Sequence, residues 1–238
     1  MNIVIVGDSW GCGEWGQRSE KFFGEYVHVH PGLELYLKED GHNVLNFSKG
    51  GSSNSDITYQ LKCAFNSSIF FSGTIDKIFM FQTEWIRDIR NQPRKKFDIN
   101  AEVERQAISE FYNTVSNIAV ENNTKVGVIG GCSDAMWTDD FEKQYPNLYI
   151  ICQSFINLCV TGSDRIDDPI HFFNCDLIEQ FSSADSDKEY ILKEIERIDR
   201  RKELLKCTPE LFWPDTKHAN RHGHWILYEY IKKNFIEN

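Results

Sequence analysis

The chain opens Met1-Asn2-Ile3-Val4-Ile5-Val6-Gly7-Asp8-Ser9-Trp10. Ile3–Val6 is an unbroken apolar, largely β-branched run, the pattern of a central parallel strand buried on both faces. It stops at Gly7-Asp8, after only four apolar residues and with no basic segment before it. That predicts a first strand and not a secretory leader.

Further runs extend the pattern. Asn43–Phe47 and Lys77–Gln82 read as strands two and three, and Lys125–Ile129 as a fourth broken by Gly130-Gly131. Leu148–Cys152 is either a fifth strand or a buried helix. Between them, Ile57–Phe65 follows a set of N-cap candidates, Ser53-Asn54-Ser55-Asp56. Asn100–Asn122 carries Val103, Ala107, Ile108, Phe111, Val115, Ile118 and Ala119 at helical spacing. A charged helix is predicted over Asp187–Leu205, and a last one from about Asn220 to about Phe235. Strands alternating with helices point to right-handed crossovers and an α/β fold: one open parallel sheet with helices on both faces. All 238 residues are read as one domain, with an irregular insertion at about 136–208.

Composition narrows the function. Lysine and arginine total 26 against 36 acidic residues, a formal charge of −10. Such a chain repels a phosphate backbone, so nucleic-acid binding is excluded as a main task. The cluster Arg90, Arg94, Lys95, Lys96 reads as a solvated loop around Pro93. No stretch approaches the roughly 18–20 apolar residues of a membrane span. Seven cysteines without metal-type pairing suggest free thiols and a cytoplasmic protein, with particle association or release by lysis left open.

In an open parallel sheet the ligand crevice lies beyond the carboxyl ends of the strands. Gly7-Asp8-Ser9-Trp10, Gly50-Gly51 and Gln82-Thr83-Glu84 all fall at that edge. Ser9, right after the first strand, is a candidate nucleophile; taken alone it reads more readily as a helix cap. Asp215-Thr216-Lys217-His218 places a carboxylate three residues before an imidazole, ahead of a helix that Asn220 can cap. On a loop, Asp215 can then accept from His218 Nδ1 while Nε2 faces the nucleophile.

Gly7-Asp8-Ser9-Trp10, a glycine after the second strand, and Asp215-x-x-His218-x-Asn220-x-x-Gly223-His224 together resemble the SGNH/GDSL hydrolase superfamily, in scattered blocks over nearly the whole chain. The resemblance implies a flavodoxin-like three-layer α/β/α sandwich and a serine esterase needing no cofactor. It implies Ser9 as nucleophile, His218 as general base and acid, and Asp215 as the orienting carboxylate. The amides of Ser9 and Gly51 become oxyanion donors, with Gly50 the alternative in the doubled glycine.

The third block departs from the family. Gln82-Thr83-Glu84-Trp85 stands where Gly-x-Asn-Asp is usual, so Glu84 takes the place of the asparagine that donates to the oxyanion. A carboxylate there opposes catalysis unless it turns away, toward Arg87 or Arg90, or is protonated. Gln82 would share its face if the strand continued. The third donor is therefore open among Gln82, Asn54 and Thr83, or is missing. The function class implied is hydrolysis of a small-molecule or glycan ester, with a carbohydrate O-acyl esterase ahead of a lipase. A catalytically impaired structural or glycan-binding module is the alternative, and an acyltransferase a minor third.

Other signals are weaker. His218, His222 and His224 invite a zinc reading, but the triad already accounts for the block and no metal is called. Gly11, Gly13 and Gly16 match a dinucleotide spacing without the ribose-binding carboxylate, and none is called. Trp10, Trp15, Trp85, Trp137 and Trp213 are either core anchors or a platform for sugar rings or acyl chains.

Overall fold

The computed structural model describes residues 1–17, 26–67, 74–90, 96–171, 178, 180–206, 208–212 and 218–237. Its main sheet is built from β1 (Asn2–Val6), β4 (Asn43–Asn46), β5 (Lys77–Gln82), β6 (Val126–Gly130) and β7 (Leu148–Cys152). The order is β4-β1-β5-β6-β7, and every pairing is parallel. Counted within this sheet alone, that is the doubly wound 2-1-3-4-5 order.

Alternation along each strand sends side chains to opposite faces. Val4, Val6, Ile78, Met80, Val126 and Val128 pack under α3 (Asn54–Asn66), α5 (Ala101–Glu121) and Ile198. Ile3, Ile5, Phe79, Phe81, Ile129 and Ile151 face α2 (Leu33–Glu39), α7 (Phe155–Thr161) and the helix Arg221–Ile231. The result is a three-layer α/β/α sandwich with two cores. Each fully buried aliphatic side chain contributes roughly 1.5–3 kcal/mol of transfer free energy.

Local chemistry sets the helix starts. Ser53 and Asp56 form a reciprocal capping box on α3, which therefore begins at Asn54 and not at Ile57. Asn100 caps α5 through the amides of Glu102 and Val103. Short elements escaped the sequence periodicity: α1 (Ser9–Cys12), a β2–β3 hairpin (Glu14–Gln17 with Tyr26–His30), α2, α4 (Ile86–Arg90), α6 (Phe141–Gln144) and α7. The last helix continues past Ile231 as a π-helical turn, Lys232–Ile236.

The segment 136–208 is not wholly an insertion. Leu148–Cys152 resolves as strand β7, an edge of the central sheet, and α7 covers one face. The helix Lys188–Lys206 is tied to the loop after β6, where the Arg201 guanidinium grips the Asp134 carboxylate with both terminal nitrogens. Among the described residues no helix is long and apolar enough to cross a membrane.

Candidate active site

The carboxyl ends of β1, β4 and β5 meet at one rim. Gly7 is required there because a Cβ on it would lie 2.7 Å from Phe81 Cβ. Asp8 then caps α1, its Oδ1 accepting from Trp10 N at 3.0 Å. Ser9 is thus the first residue of the helix and not its cap, which leaves its hydroxyl available.

That hydroxyl meets the other end of the chain. Ser9 Oγ lies 2.8 Å from His218 Nε2. Two residues on, Asn220 caps the last helix, its side chain accepting from the amides of His222 and Gly223 at 2.8 and 3.2 Å. Gly223 permits close packing, since a Cβ there would lie 2.8 Å from the Leu211 carbonyl. Asp215 and Trp213 fall outside the described residues.

The three histidines do not converge. His222 is exposed, and His224 is buried against Gly32 and Phe155. Burial pushes the His224 pKa down to about 3, so it stays neutral. Burial and then Asp8 push the Cys12 thiol up to about 12, which removes it as a rival nucleophile at neutral pH.

The glycine turn stands beside the serine. It is closed by Ser52 N–H on the Lys49 carbonyl at 3.2 Å. Gly50 faces the pair: a Cβ on it would be 4.0 Å from Ser9 Cβ and 3.4 Å from the Trp15 ring. Gly51 follows with φ +76. Gln60 holds the two blocks together. Its amide oxygen accepts from Gly7 N at 2.8 Å, and its nitrogen donates to Gly7 O and Ser52 Oγ, both at 3.0 Å. Its role was invisible in the sequence, since a glutamine inside a helix carries no motif.

The third block already occupies two of the expected donors, Gln82 and Thr83. β5 ends at Gln82, so Gln82 and Glu84 do not share a strand face. Gln82 Nε2 donates to Ser133 Oγ at 3.0 Å and Asp134 O at 3.2 Å, and Tyr112 holds its oxygen. Both amide hydrogens are spent in the core. The Thr83 hydroxyl donates to Asp8 Oδ2 at 2.8 Å. Asn54 clamps the Thr83 backbone through both ends of its amide, each at 3.3 Å.

Glu84 turns away to Arg87, as charge neutralisation requires: Arg87 Nε lies 2.9 Å from Glu84 Oε2. The same guanidinium reaches Asp8 Oδ2 at 3.1 Å, the Ser52 carbonyl at 3.3 Å and Cys132 Sγ at 3.4 Å. Burial works against its charge, yet Cys132, Asp8 and Glu84 together push its pKa above the ordinary arginine value.

The tryptophans divide. Trp10 and Trp85 are core anchors, and Trp10 also backs the His218 ring at 5.9 Å. Trp15 stands at the rim, its indole donating to the Ser9 carbonyl at 2.9 Å. Trp137 is exposed under Arg165. A cavity of about 490 Å³ adjoins the glycine turn, lined among others by Phe47, Lys49, Gly51 and Tyr59. A larger one of about 560 Å³ opens between α3 and α5, and its lining contains neither Ser9 nor His218.

No family model and no curated protein matches the chain. Among solved structures it is similar to an acetyl xylan esterase from Geobacillus stearothermophilus, at 14% identity over 98% of this chain and 93% of that one, TM-score 0.39. It is also similar to a member of the lipolytic G-D-S-L family from Veillonella parvula, at 13% identity over 100% and 99%, TM-score 0.39. A psychrotrophic esterase from a Pseudoalteromonas species shares 10% identity over 100% and 99%, TM-score 0.41. The fold assignment rests on the strand order and layers described above, not on these likenesses.

Proposed function

We propose that the chain is a serine hydrolase of carboxylic esters working through an acyl-enzyme. The observation that carries this reading is the 2.8 Å contact between Ser9 Oγ and His218 Nε2, bridging residues from opposite ends of the chain at the carboxyl edge of the sheet. A serine hydroxyl becomes a nucleophile when a neutral imidazole within about 2.6–3.2 Å can take its proton. Ser9 Oγ attacks the carbonyl carbon, the π pair moves onto oxygen, and the proton passes to His218 Nε2. Collapse expels the alcohol, which receives that proton. Water then repeats the sequence on the acyl-enzyme. Asp215 is assigned the part of holding His218 in the required tautomer. The amides of Ser9 and of Gly50 or Gly51 are assigned as oxyanion donors.

A carbohydrate O-acyl ester is the preferred substrate class. Trp15 at the rim and Tyr59, exposed beside the glycine turn, supply flat aromatic faces of the kind sugar rings stack on, whereas a lipase wants a continuous apolar surface. The protein is expected to release p-nitrophenol from short-chain nitrophenyl esters and acetate from acetylated sugars. A fluorophosphonate should label Ser9.

A second reading has its own support. Glu84 stands in place of the family's donor, the Gln82 amide and the Thr83 hydroxyl are engaged elsewhere, and Asn54 has committed one of its two amide hydrogens to the Thr83 carbonyl. A binding module that kept the scaffold would neither turn over esters nor take the label, and Ser9→Ala would leave its glycan binding intact.

A further inference from the structure

We propose that Arg87 is a catalytic residue, its Nη2 donating to the oxyanion where the family uses an asparagine amide. This rests on the serine-esterase reading and adds to it a group that neither the motif blocks nor the resemblance assigns.

The guanidinium sits between two loops of the site. It touches Asp8, the residue before Ser9, at 3.1 Å and the carbonyl of Ser52, the residue after Gly51, at 3.3 Å. Ser9 and Gly51, whose amides are among those assigned to the oxyanion, are the chain neighbours of those contacts. Arg87 therefore lies against both blocks that define the hole.

An arginine has five N–H groups and no acceptor. Nε–H goes to Glu84, the Nη1 hydrogens go to Asp8 and Ser52, and one Nη2 hydrogen goes to Cys132 Sγ at 3.4 Å. The fifth has no partner among the described residues, and a thiol sulfur is only a weak acceptor for the fourth. Both Nη2 hydrogens are thus available to a stronger acceptor. The side chain is 15% exposed. Its anchoring through Nε and Nη1 means that no reorganisation is needed when the charge develops, the condition under which such a donor is most effective.

This also explains the altered third block. Glu84 does not face the oxyanion; it holds the Arg87 fork by Nε at 2.9 Å, while Asp8 holds the other side. In the reaction Arg87 transfers no proton. It lends a charge-assisted hydrogen bond to the tetrahedral oxygen, and the carbonyl re-forms as the alcohol leaves.

The experiment measures kcat, KM and the rate of fluorophosphonate labelling on nitrophenyl acetate for the full chain. Arg87→Ala is expected to lower kcat about 10²–10³-fold with KM changed only a few-fold, and millimolar guanidinium should restore part of the rate. A folded Arg87→Ala protein with kcat within a few-fold of the parent overturns the proposal.

Because that variant removes the cation that faces two buried carboxylates, Glu84→Gln decides the matter if it fails to fold. The glutamine keeps an acceptor for Nε but removes the competing negative charge, so a several-fold rise in kcat is expected. An unchanged or lower kcat marks Arg87 as structural and overturns the proposal. A parent protein that neither hydrolyses the ester nor labels at Ser9 overturns the esterase reading itself. A parent that does both, with an indifferent Arg87→Ala, overturns only the role of Arg87.

Discussion

Arg87 and Arg201 are both buried arginines paired with buried carboxylates, yet they are built differently. Arg201 is 2% exposed and spends both terminal nitrogens on one partner, Asp134, which also accepts from Ile170 N at 2.8 Å. Arg87 spreads its fork over Asp8, Glu84, Ser52 and Cys132 and is 15% exposed. A closed bidentate pair ties two elements together and has little left to offer a ligand. A divided fork joins three loops and stays chemically open. The same contrast separates the histidines, His218 meeting the serine at the rim and His224 shut inside the core.

The contrast is broken most severely at the nucleophile. Ser9→Ala and His218→Ala should each reduce ester turnover by about 10³-fold or more. The double variant should be little worse than either single one, because the pair acts as a unit. Additive losses in steady-state assays would show that the two residues work separately.

Next in size is Arg201→Met. It strands the Asp134 carboxylate in the core and should cost about 3–5 kcal/mol in urea unfolding. The turnover of the molecules that remain folded should hold, the reverse of what Arg87→Ala is expected to do. The double replacement Arg201→Met/Asp134→Leu should recover much of the stability.

The buried histidine gives a pH signature of comparable scale. Its folded pKa of about 3 lies below the ordinary 6.5, so between those values the unfolded chain binds more protons and stability rises with pH. The expected gain from pH 3 to 6.5 is on the order of 4–5 kcal/mol, with no slope from this group above it. His224→Leu should flatten that part of the stability–pH curve, measured by chemical denaturation at fixed temperature, while leaving the rim contacts of His218 in place.

The smallest effect is expected at the α3 cap. Ser53→Ala removes the acceptor for Asp56 N and should cost about 1 kcal/mol. A much larger loss of activity than of stability would show that the capping box also positions the glycine turn.

Much of the fold was legible in the residue pattern. The β5 strand runs from Lys77 to Gln82 as read, and α5 differs from its predicted span by one residue at each end. These are long or strongly patterned segments, where burial dictates residue type position by position. Short elements such as α1 and α2 were not legible, because four to seven residues carry too little periodicity. Leu148–Cys152 was ambiguous because a strand buried on both faces shows no alternation.

The site divides along the same line. Ser9 and His218 were named from local motifs, and the structure places them in contact. Residue type makes Gln82, Thr83 and Asn54 candidate donors, but type does not reveal that Gln82 and Thr83 have already taken partners. Arg87 drew notice only as a counter-charge for Glu84.

The amino-acid order alone determined that Ile3–Val6 must lie inside, where the chain must turn, and which side chains can exchange protons, since these follow from transfer free energy, backbone sterics and intrinsic chemistry. Tertiary structure alone decided which hydrogen-bond donors remain free at the rim. That depends on neighbours from distant segments: Tyr112 and Ser133 claim Gln82, Asp8 claims Thr83, and the split fork of Arg87 is left with hydrogens to give.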